Sequence, residues 1–158
     1  MELTIRFNKD RVLDFENRSC ATLVGKTGLY FIFLTHLAIP YPIRESKLIY
    51  IGMSESRSNS IGKRLKDHLS GRSENKGIFG YRARHRLRFT YLESAFLAHV
   101  FPARAIEQTE AYCLEDFLKE FGSYPICNNK GGSTNQETST QEEVNVDWDF
   151  FGGNDDER

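Results

Sequence analysis

An unbroken run of apolar and aromatic residues from Thr27 to Leu34 constrains the fold of this chain more than any other segment. The run is far shorter than the roughly 20 residues that a membrane-spanning helix needs. It is typical instead of a β-strand that is buried on both faces. The remaining elements must therefore cover both sides of a sheet, and 158 residues suffice for one domain of that kind.

Two further strands and a first helix follow from the spacing of apolar residues. Lys47–Met53 and Leu87–Glu93 are predicted as strands, the second because its apolar residues alternate with polar ones. An apolar residue at every fourth position from Ile61 to Leu69 predicts a helix that ends at Gly71. We interpret Ser73–Gly80, which lies between this helix and the third strand, as a loop.

A longer helix is predicted over Arg104–Phe121, where apolar residues follow helical spacing and Gly122 ends the pattern. The order strand, strand, helix, strand, helix indicates an α+β domain, with a small three-stranded antiparallel sheet flanked by helices. Ahead of it, residues 1–25 are expected to form a lead-in element. Within that element we predict a short strand at Leu3–Phe7 and a helical turn at Arg11–Phe15.

The net charge of −1 is the sum of two unlike pieces. Residues 133–158 carry eight acidic groups and one basic group, whereas residues 1–132 carry 20 basic and 14 acidic groups. Within 41–104 there are 13 basic residues against five acidic ones. The basic body favours a polyanionic partner. The acidic tail, residues 131–158, is poor in apolar groups and is predicted to be disordered.

The cysteines and the N-terminus bear on the compartment. Cys20, Cys113 and Cys127 are widely spaced, and neither they nor the histidines have the spacing of zinc ligands. We therefore expect neither a disulfide framework nor a zinc site. Since the first residues also contain no long apolar stretch, we expect a cytoplasmic protein without a membrane partner.

The candidate site begins with two tyrosines next to glycines in the first two predicted strands, in Gly28-Leu29-Tyr30 and Tyr50-Ile51-Gly52. On the helix that follows, Arg64 and His68 are four residues apart and share a face. Arginine suits phosphate binding because its planar guanidinium offers paired donors and stays charged. The alternative is that the tyrosines are ordinary core residues and that the basic helix face is only solvated.

Charged residues elsewhere add to this pattern. Glu110 lies on the apolar face of the long helix, where a carboxylate needs a partner or a cation. Four alternating arginines precede or begin the third strand, and at strand spacing they would project to one side and follow a phosphate backbone. Solubilisation of a strand edge is the other interpretation of that row. The row consists of Arg82, Arg84, Arg86 and Arg88.

Over about residues 26–130, this combination resembles the GIY-YIG nuclease superfamily. The two tyrosine triplets resemble its two signatures, Arg64 and His68 match its helix residues, and Asn128 matches its closing asparagine. The resemblance implies a nuclease domain that hydrolyses DNA phosphodiester bonds with one Mg²⁺ or Mn²⁺ ion. It also implies that Tyr30, helped by Tyr50 and His68, activates water while Arg64 stabilises negative charge.

The resemblance leaves the metal ligand to be chosen between two glutamates. Helix phase favours Glu110, whereas counting back from Asn128 favours Glu115. The expected partner is DNA, which can be nicked, branched or otherwise structured. Residues expected to contact it are Lys63, Arg82, Arg84, Arg86, Arg88 and Asn128.

Two other functions stay open at this point. The chain can be a non-catalytic nucleic-acid-binding module, or an interaction adaptor that acts through its tail. Val146–Phe151 contains the only tryptophan and is a candidate docking peptide for a protein partner. The same segment can instead fold back onto the body, where an acidic tail would cover the basic site.

Overall fold

The computed structural model describes residues 3–128 and 144–152, which form a mixed α+β fold. The strands are β1 (Leu3–Ile5), β2 (Leu13–Asp14), β3 (Gly28–Leu34), β4 (Leu48–Ser54), β5 (Leu87–Glu93) and β6 (Val144–Val146). Four of them make an antiparallel sheet in the order β2-β5-β3-β4, and β1 and β6 make a separate parallel pair. The helices are α1 (Asn17–Ala21), α2 (Ile61–Ser70), α3 (Lys76–Arg84), α4 (Ser94–Val100) and α5 (Ile106–Phe121), with 3-10 turns at Lys9–Arg11 and Trp148–Phe151.

The α+β class is confirmed, but the prediction of a three-stranded sheet is wrong. The three predicted strands are present as β3, β4 and β5, and β2 adds a fourth by pairing Leu13 with Phe89. The predicted helical turn at Arg11–Phe15 is also wrong, because the 3-10 turn lies earlier, at Lys9–Arg11. A two-residue strand is too short to produce a periodic pattern, so its partner strand decides its conformation.

Every residue of β3 is buried, as the apolar run predicts, because helices cover both faces of the sheet. On one face Phe31 packs in a cluster with α4, α5 and the Trp148–Phe151 turn. On the other face Ile32 packs in a cluster with α1, α2 and α3. The N-terminal residues contribute to both clusters, Ile5 to the first and Cys20 to the second.

The helix that carries Arg64 ends as predicted, since Gly71 adopts a left-handed conformation with φ of 83°. The predicted loop at Ser73–Gly80 is wrong, because α3 begins at Lys76. Asn75 caps that helix by accepting a hydrogen bond from the amide of Ile78 at 3.0 Å. Two glycines inside α3 lower its helix propensity and hide it from the sequence pattern.

The prediction of a disordered tail is wrong for residues 144–152. There β6 pairs with β1, and the backbone amide of Lys47 donates to the carbonyl of Phe151 at 2.7 Å. Trp148 is 3% exposed and Phe151 is 1% exposed, both in the chain's own core, so they are not free to dock a partner. The rest of the predicted tail lies outside the described residues.

This ordered segment covers the face of the sheet that is opposite to Tyr30 and α2. Phe151 stacks on Phe31, whereas the predicted site residue Tyr30 belongs to the cluster on the other face. The segment therefore folds back onto the body, as one of the alternatives predicted, and residues 144–152 do not lie over Tyr30. Within the described residues, no helix combines the length and apolarity that crossing a membrane requires.

Candidate active site

Three rings from separate parts of the sequence meet beside the central sheet. Tyr30 comes from β3, Tyr50 from β4 and His68 from α2. The ring of His68 lies 5.2 Å from that of Tyr50 and 6.0 Å from that of Tyr30, between centroids. The hydroxyl of Tyr30 and Nε2 of His68 are 3.0 Å apart and form a buried hydrogen bond. The two strands and the helix thus join the predicted tyrosines and histidine in one cluster.

The two glycines of the tyrosine triplets make this cluster possible. Gly52 pairs with Tyr30 across the two strands, and the tyrosine ring lies over it. A β-carbon at Gly52 would approach the Tyr30 hydroxyl oxygen to 2.5 Å. Gly28 has φ of 143°, and a β-carbon there would lie 2.9 Å from Cα of Glu93. Larger residues would therefore displace either the ring or a neighbouring strand.

His68 is held at both ring nitrogens. Nε2 faces the hydroxyl of Tyr30, and Nδ1 lies 2.8 Å from Oγ of Ser73. Burial, followed by the nearby positive charge of Arg64, lowers the pKa of His68 to about 4. The imidazole is therefore neutral at neutral pH, and one of its nitrogens is free to accept a proton.

Arg64 lies one helical turn before His68 and is only partly accessible to solvent. Its Nε is buried and, among the described residues, has no hydrogen-bond partner. Burial acts to lower the pKa of Arg64, but Tyr30, Tyr50 and Glu110 raise it, and the net change is a rise. A buried guanidinium nitrogen without an acceptor is costly, so an additional acceptor at Arg64 would be stabilising.

Both tyrosine hydroxyls keep their protons at neutral pH. Burial raises the pKa of Tyr30 well above its usual value, and the second contribution comes from Tyr50. Burial also raises the pKa of Tyr50, followed by the negative charge of Glu110. The positive charge of Arg64 lowers the pKa of each tyrosine but does not offset these effects.

Of the two candidate glutamates, Glu110 is the one that the structure places with the other site residues. Its pKa is raised to about 7, mainly by burial and also by the charges of Glu107 and Glu55, while the charge of Arg64 acts in the opposite direction. Glu115 is exposed on another part of α5, where its carboxylate accepts a hydrogen bond from the hydroxyl of Tyr124 at 2.6 Å.

The surroundings of Glu110 fit a single divalent cation. Its carboxylate is destabilised by burial and by neighbouring negative charge, and a bound cation would relieve both effects. Among the described residues there is no group of three or more histidines, cysteines or acids that could hold a metal. Mg²⁺ commonly uses only one or two protein carboxylates and takes its other ligands from water and substrate phosphate.

The predicted row of arginines on one strand does not exist. Arg82 and Arg84 lie in the last turn of α3 and are exposed, because the helix continues to Arg84. Arg86 and Arg88 bind the carboxylate of Asp14, at 3.1 Å and 3.3 Å. Of the four arginines, at most Arg86 and Arg88 therefore follow the alternating spacing of a strand.

The remaining predicted DNA contacts also have neighbours within the chain. Lys63 is exposed on α2 and pairs with Asp67 at 3.0 Å. The side-chain amide of Asn128 accepts from the backbone amide of Ile51 and donates to the carbonyl of the same residue, both at 3.0 Å. Asn128 thus pairs with β4, the edge strand, in the way that a neighbouring strand would.

Ser73 and Asn75, which the sequence pattern did not indicate, support the site through hydrogen bonds: Ser73 contacts His68, and Asn75 contacts Ser73. The Oγ of Ser73 accepts from the backbone amide of Asn75 at 3.2 Å while it contacts His68. The side chain of Asn75 donates to the carbonyl of Cys127 at 3.1 Å. The only signal in the sequence was an asparagine three residues before Ile78, which is a helix-capping pattern.

We compared the chain with protein-family models, with characterised proteins and with solved structures, and none of the three comparisons found a match.

Proposed function

We propose that this protein is a metal-dependent DNA endonuclease of the GIY-YIG type. The observation that carries the proposal is the environment of Arg64, whose buried Nε has no partner among the described residues and which lies beside Tyr30 and Glu110. A further hydrogen-bond acceptor would stabilise this environment, and an anionic oxygen of a DNA phosphate is one that suits a guanidinium. The tyrosine and histidine cluster supplies groups that can orient water next to that phosphate.

In the proposed mechanism the attacking water gives a proton to the hydroxyl oxygen of Tyr30. Tyr30 passes its own proton to Nε2 of His68 along their 3.0 Å hydrogen bond, so no free phenolate is needed. The incoming phosphate brings negative charge next to Arg64, which offsets the effect of that arginine on His68. The guanidinium of Arg64 then stabilises the charge that develops on the phosphate oxygens.

Glu110 would hold the divalent ion in this proposal. A bound Mg²⁺ supplies neutralisation of the scissile phosphate and of the leaving oxygen. The chain's own contribution is a carboxyl group whose pKa is raised to about 7 by burial, so that ionisation and ion binding are coupled. Tyr50, whose ring contacts His68 and whose pKa is raised by the charge of Glu110, would orient the water.

The exposed end of α3 is the DNA-facing surface in this proposal. Arg82 and Arg84 are exposed there, and no ion pair is recorded for either among the described residues. The affinity for DNA falls as the salt concentration rises, and each phosphate contact that is lost should make the slope of log affinity against log salt concentration less steep by about 0.9. Replacing both arginines with alanine should therefore lower the slope by up to about two, with little change in sequence preference.

The decisive experiment is a cleavage assay on nicked, branched and linear DNA with Mg²⁺ or Mn²⁺. The wild type should cleave at least one substrate, and Arg64→Ala should reduce kcat by roughly 100- to 1,000-fold, as the loss of a charge-stabilising donor does. Arg6→Ala is the matched control, because Arg6 is an exposed arginine just after β1. Its rate should equal that of the wild type.

Other results would change the proposal. If no substrate is cleaved but DNA binds in a salt-dependent way, the domain is a binding module that lacks the reaction. If Arg64→Ala cleaves as fast as Arg6→Ala, the reaction does not use this site. Tyr30→Phe, which keeps the ring and removes the hydroxyl, tests the proton transfer, and full activity of this variant would reject it.

A further inference from the structure

We propose that Ser73 is a positioning residue that fixes the tautomer of His68 with hydrogen on Nδ1 and an unprotonated Nε2 facing Tyr30. The inference deepens the proposed function, because only this tautomer can accept the proton of Tyr30. It rests on the described hydrogen bonds of Tyr30, His68 and Ser73 and can be tested without measuring cleavage.

The first step concerns the hydroxyl of Tyr30, which is completely buried and so needs an acceptor for its hydrogen. Nε2 of His68 lies 3.0 Å away and can be that acceptor. The neighbouring Arg64 cannot, because a guanidinium carries donors and no acceptor. The hydroxyl of Tyr50 is the other acceptor in reach of Tyr30. In the proposed arrangement Tyr30 donates to Nε2 instead, so Nε2 carries no hydrogen and a neutral imidazole must carry its hydrogen on Nδ1.

The second step concerns the acceptor for that Nδ1 hydrogen. Oγ of Ser73 is 2.8 Å from Nδ1, and it already accepts from the backbone amide of Asn75 at 3.2 Å. A hydroxyl oxygen has two lone pairs, so it can accept both bonds and turn its own hydrogen to solvent. The opposite tautomer would direct an Nε2 hydrogen at Tyr30 and leave the buried tyrosine hydrogen without this acceptor.

The third step is that the backbone around Ser73 is held in place. Its amide donates to the carbonyl of Asp67 at 3.2 Å, which ties it back to α2. The next residue, Glu74, has φ of 69°, a left-handed conformation that non-glycine residues seldom adopt. Asn75 is fixed by its own bond to Cys127 and by capping α3. Such strain persists only where surrounding contacts impose it, and here it directs Oγ at the histidine.

The test is the ¹⁵N spectrum of the His68 side chain in the full chain at pH 7, where the imidazole is neutral. The two tautomers give different shifts for Nδ1 and Nε2 and different couplings to the ring hydrogens. We expect hydrogen on Nδ1 in the wild type. Hydrogen on Nε2 in the wild type would overturn the inference, and this measurement needs no variant to fold.

Variants then assign the effect to Ser73. Ser73→Ala should yield a mixture of tautomers, whereas Ser73→Thr keeps a hydroxyl and should retain the Nδ1 form. Ser70→Ala is the matched control, because its Oγ bonds only with backbone groups of Asp67 and Arg72 among the described residues. An unchanged spectrum in Ser73→Ala would reject the role of Ser73.

Cleavage gives a separate result that depends on the proposed function. Ser73→Ala should lower kcat about five- to tenfold, the effect of one hydrogen bond, with KM unchanged, and Ser73→Thr should restore most of it. If no form of the protein cleaves DNA, the proposed function fails while the tautomer result still stands. If the wild type cleaves and Ser73→Ala has normal kcat with mixed tautomers, the tautomer does not serve the reaction.

Discussion

Tyr30 and Gly52 lie opposite each other on β3 and β4, and the tyrosine hydroxyl passes over the glycine on its way to His68. A β-carbon at Gly52 would come within 2.5 Å of that hydroxyl oxygen. Each triplet therefore contributes one partner to the same contact. This explains physically why a glycine in one strand and a tyrosine in the other occur together in a site of this geometry.

Gly52→Ala should destabilise the protein and disturb the site together. The added methyl group must displace the ring of Tyr30, and overpacking of this kind costs about 1–3 kcal/mol. Urea denaturation followed by circular dichroism measures the change. The control is Gly80→Ala in α3, where nothing lies within 4 Å of the added carbon and alanine favours the helix. Equal destabilisation by both variants would contradict the packing explanation.

Glu110→Gln should stabilise the metal-free protein at pH 8 but not at pH 4.5. The pKa of Glu110 is raised from 4.5 in the unfolded state to about 7 in the folded state. Because the carboxyl group ionises more easily in the unfolded state, it destabilises the fold at pH values above 4.5. A shift of this size corresponds to about 3 kcal/mol at pH 8, and below pH 4.5 the group is protonated in both states. Unfolding of both proteins in urea with a chelator present measures the difference at each pH.

Two features assign the pH-dependent difference in stability between the wild type and Glu110→Gln to the carboxyl group of Glu110. Protonation of His68 destabilises the fold as the pH falls from 6.5 towards 4, because its folded pKa is the lower one, but this effect is common to both proteins and cancels. Glu115→Gln is the matched control, since Glu115 is exposed on the same helix. Its effect should stay below about 1 kcal/mol at both pH values. A pH-independent effect of Glu110→Gln would mean that its carboxyl is not desolvated.

Adding Mg²⁺ should raise the stability of the wild type and not of Glu110→Gln. An ion that binds only the folded state at about ten times its dissociation constant contributes about 1.4 kcal/mol. Thermal unfolding with and without the ion measures this, and Glu115→Gln should respond as the wild type does. If Glu115→Gln rather than Glu110→Gln loses the response, the ion is held elsewhere on α5.

Much of the fold was predictable where a residue's neighbours along the chain decide its structure. The buried strand around Tyr30 and the helix that ends at Gly71 follow from apolar spacing and a glycine stop. The helix α3 could not be predicted in this way, because its glycines weaken the local helical signal. Its stability comes from Ile78, which packs in the core cluster that covers one face of the sheet. Misplacing α3 also produced the wrong strand spacing for Arg82 and the residues after it.

The candidate site was predictable in its residue types but not in its contacts. Helix phase alone selected Glu110, and the structure places that residue near Arg64. Two supporting hydrogen bonds could not be found from a sequence pattern. Asn128 bonds to Ile51, which is distant in sequence, and Ser73 bonds to His68 at a separation that matches no helix or strand period. Asn128 is predicted to contact DNA, and within the chain its side chain bonds to the backbone of Ile51 at the edge of β4.

Asn128→Ala should therefore reduce stability rather than DNA affinity. It removes two hydrogen bonds to Ile51 and leaves that strand edge without its partner, at a cost of about 1–3 kcal/mol. Urea unfolding measures the loss, and a salt titration of DNA binding should keep the slope of the wild type. A lower slope with unchanged stability would restore the DNA contact that the sequence suggested.

Trp148→Ala should destabilise the whole domain, because residues 144–152 belong to its core. The indole is 3% exposed, packs edge-on against Phe117 and donates from Nε1 to Asp116 at 2.9 Å. Removing a buried aromatic ring costs about 3–5 kcal/mol. Asp149→Ala is the control, since this exposed acid forms an ion pair with Arg44 among the described residues and its loss should cost less than about 1 kcal/mol. Circular dichroism in urea compares the two, and equal midpoints would mean that the segment detaches in solution and leaves Trp148 free for a partner.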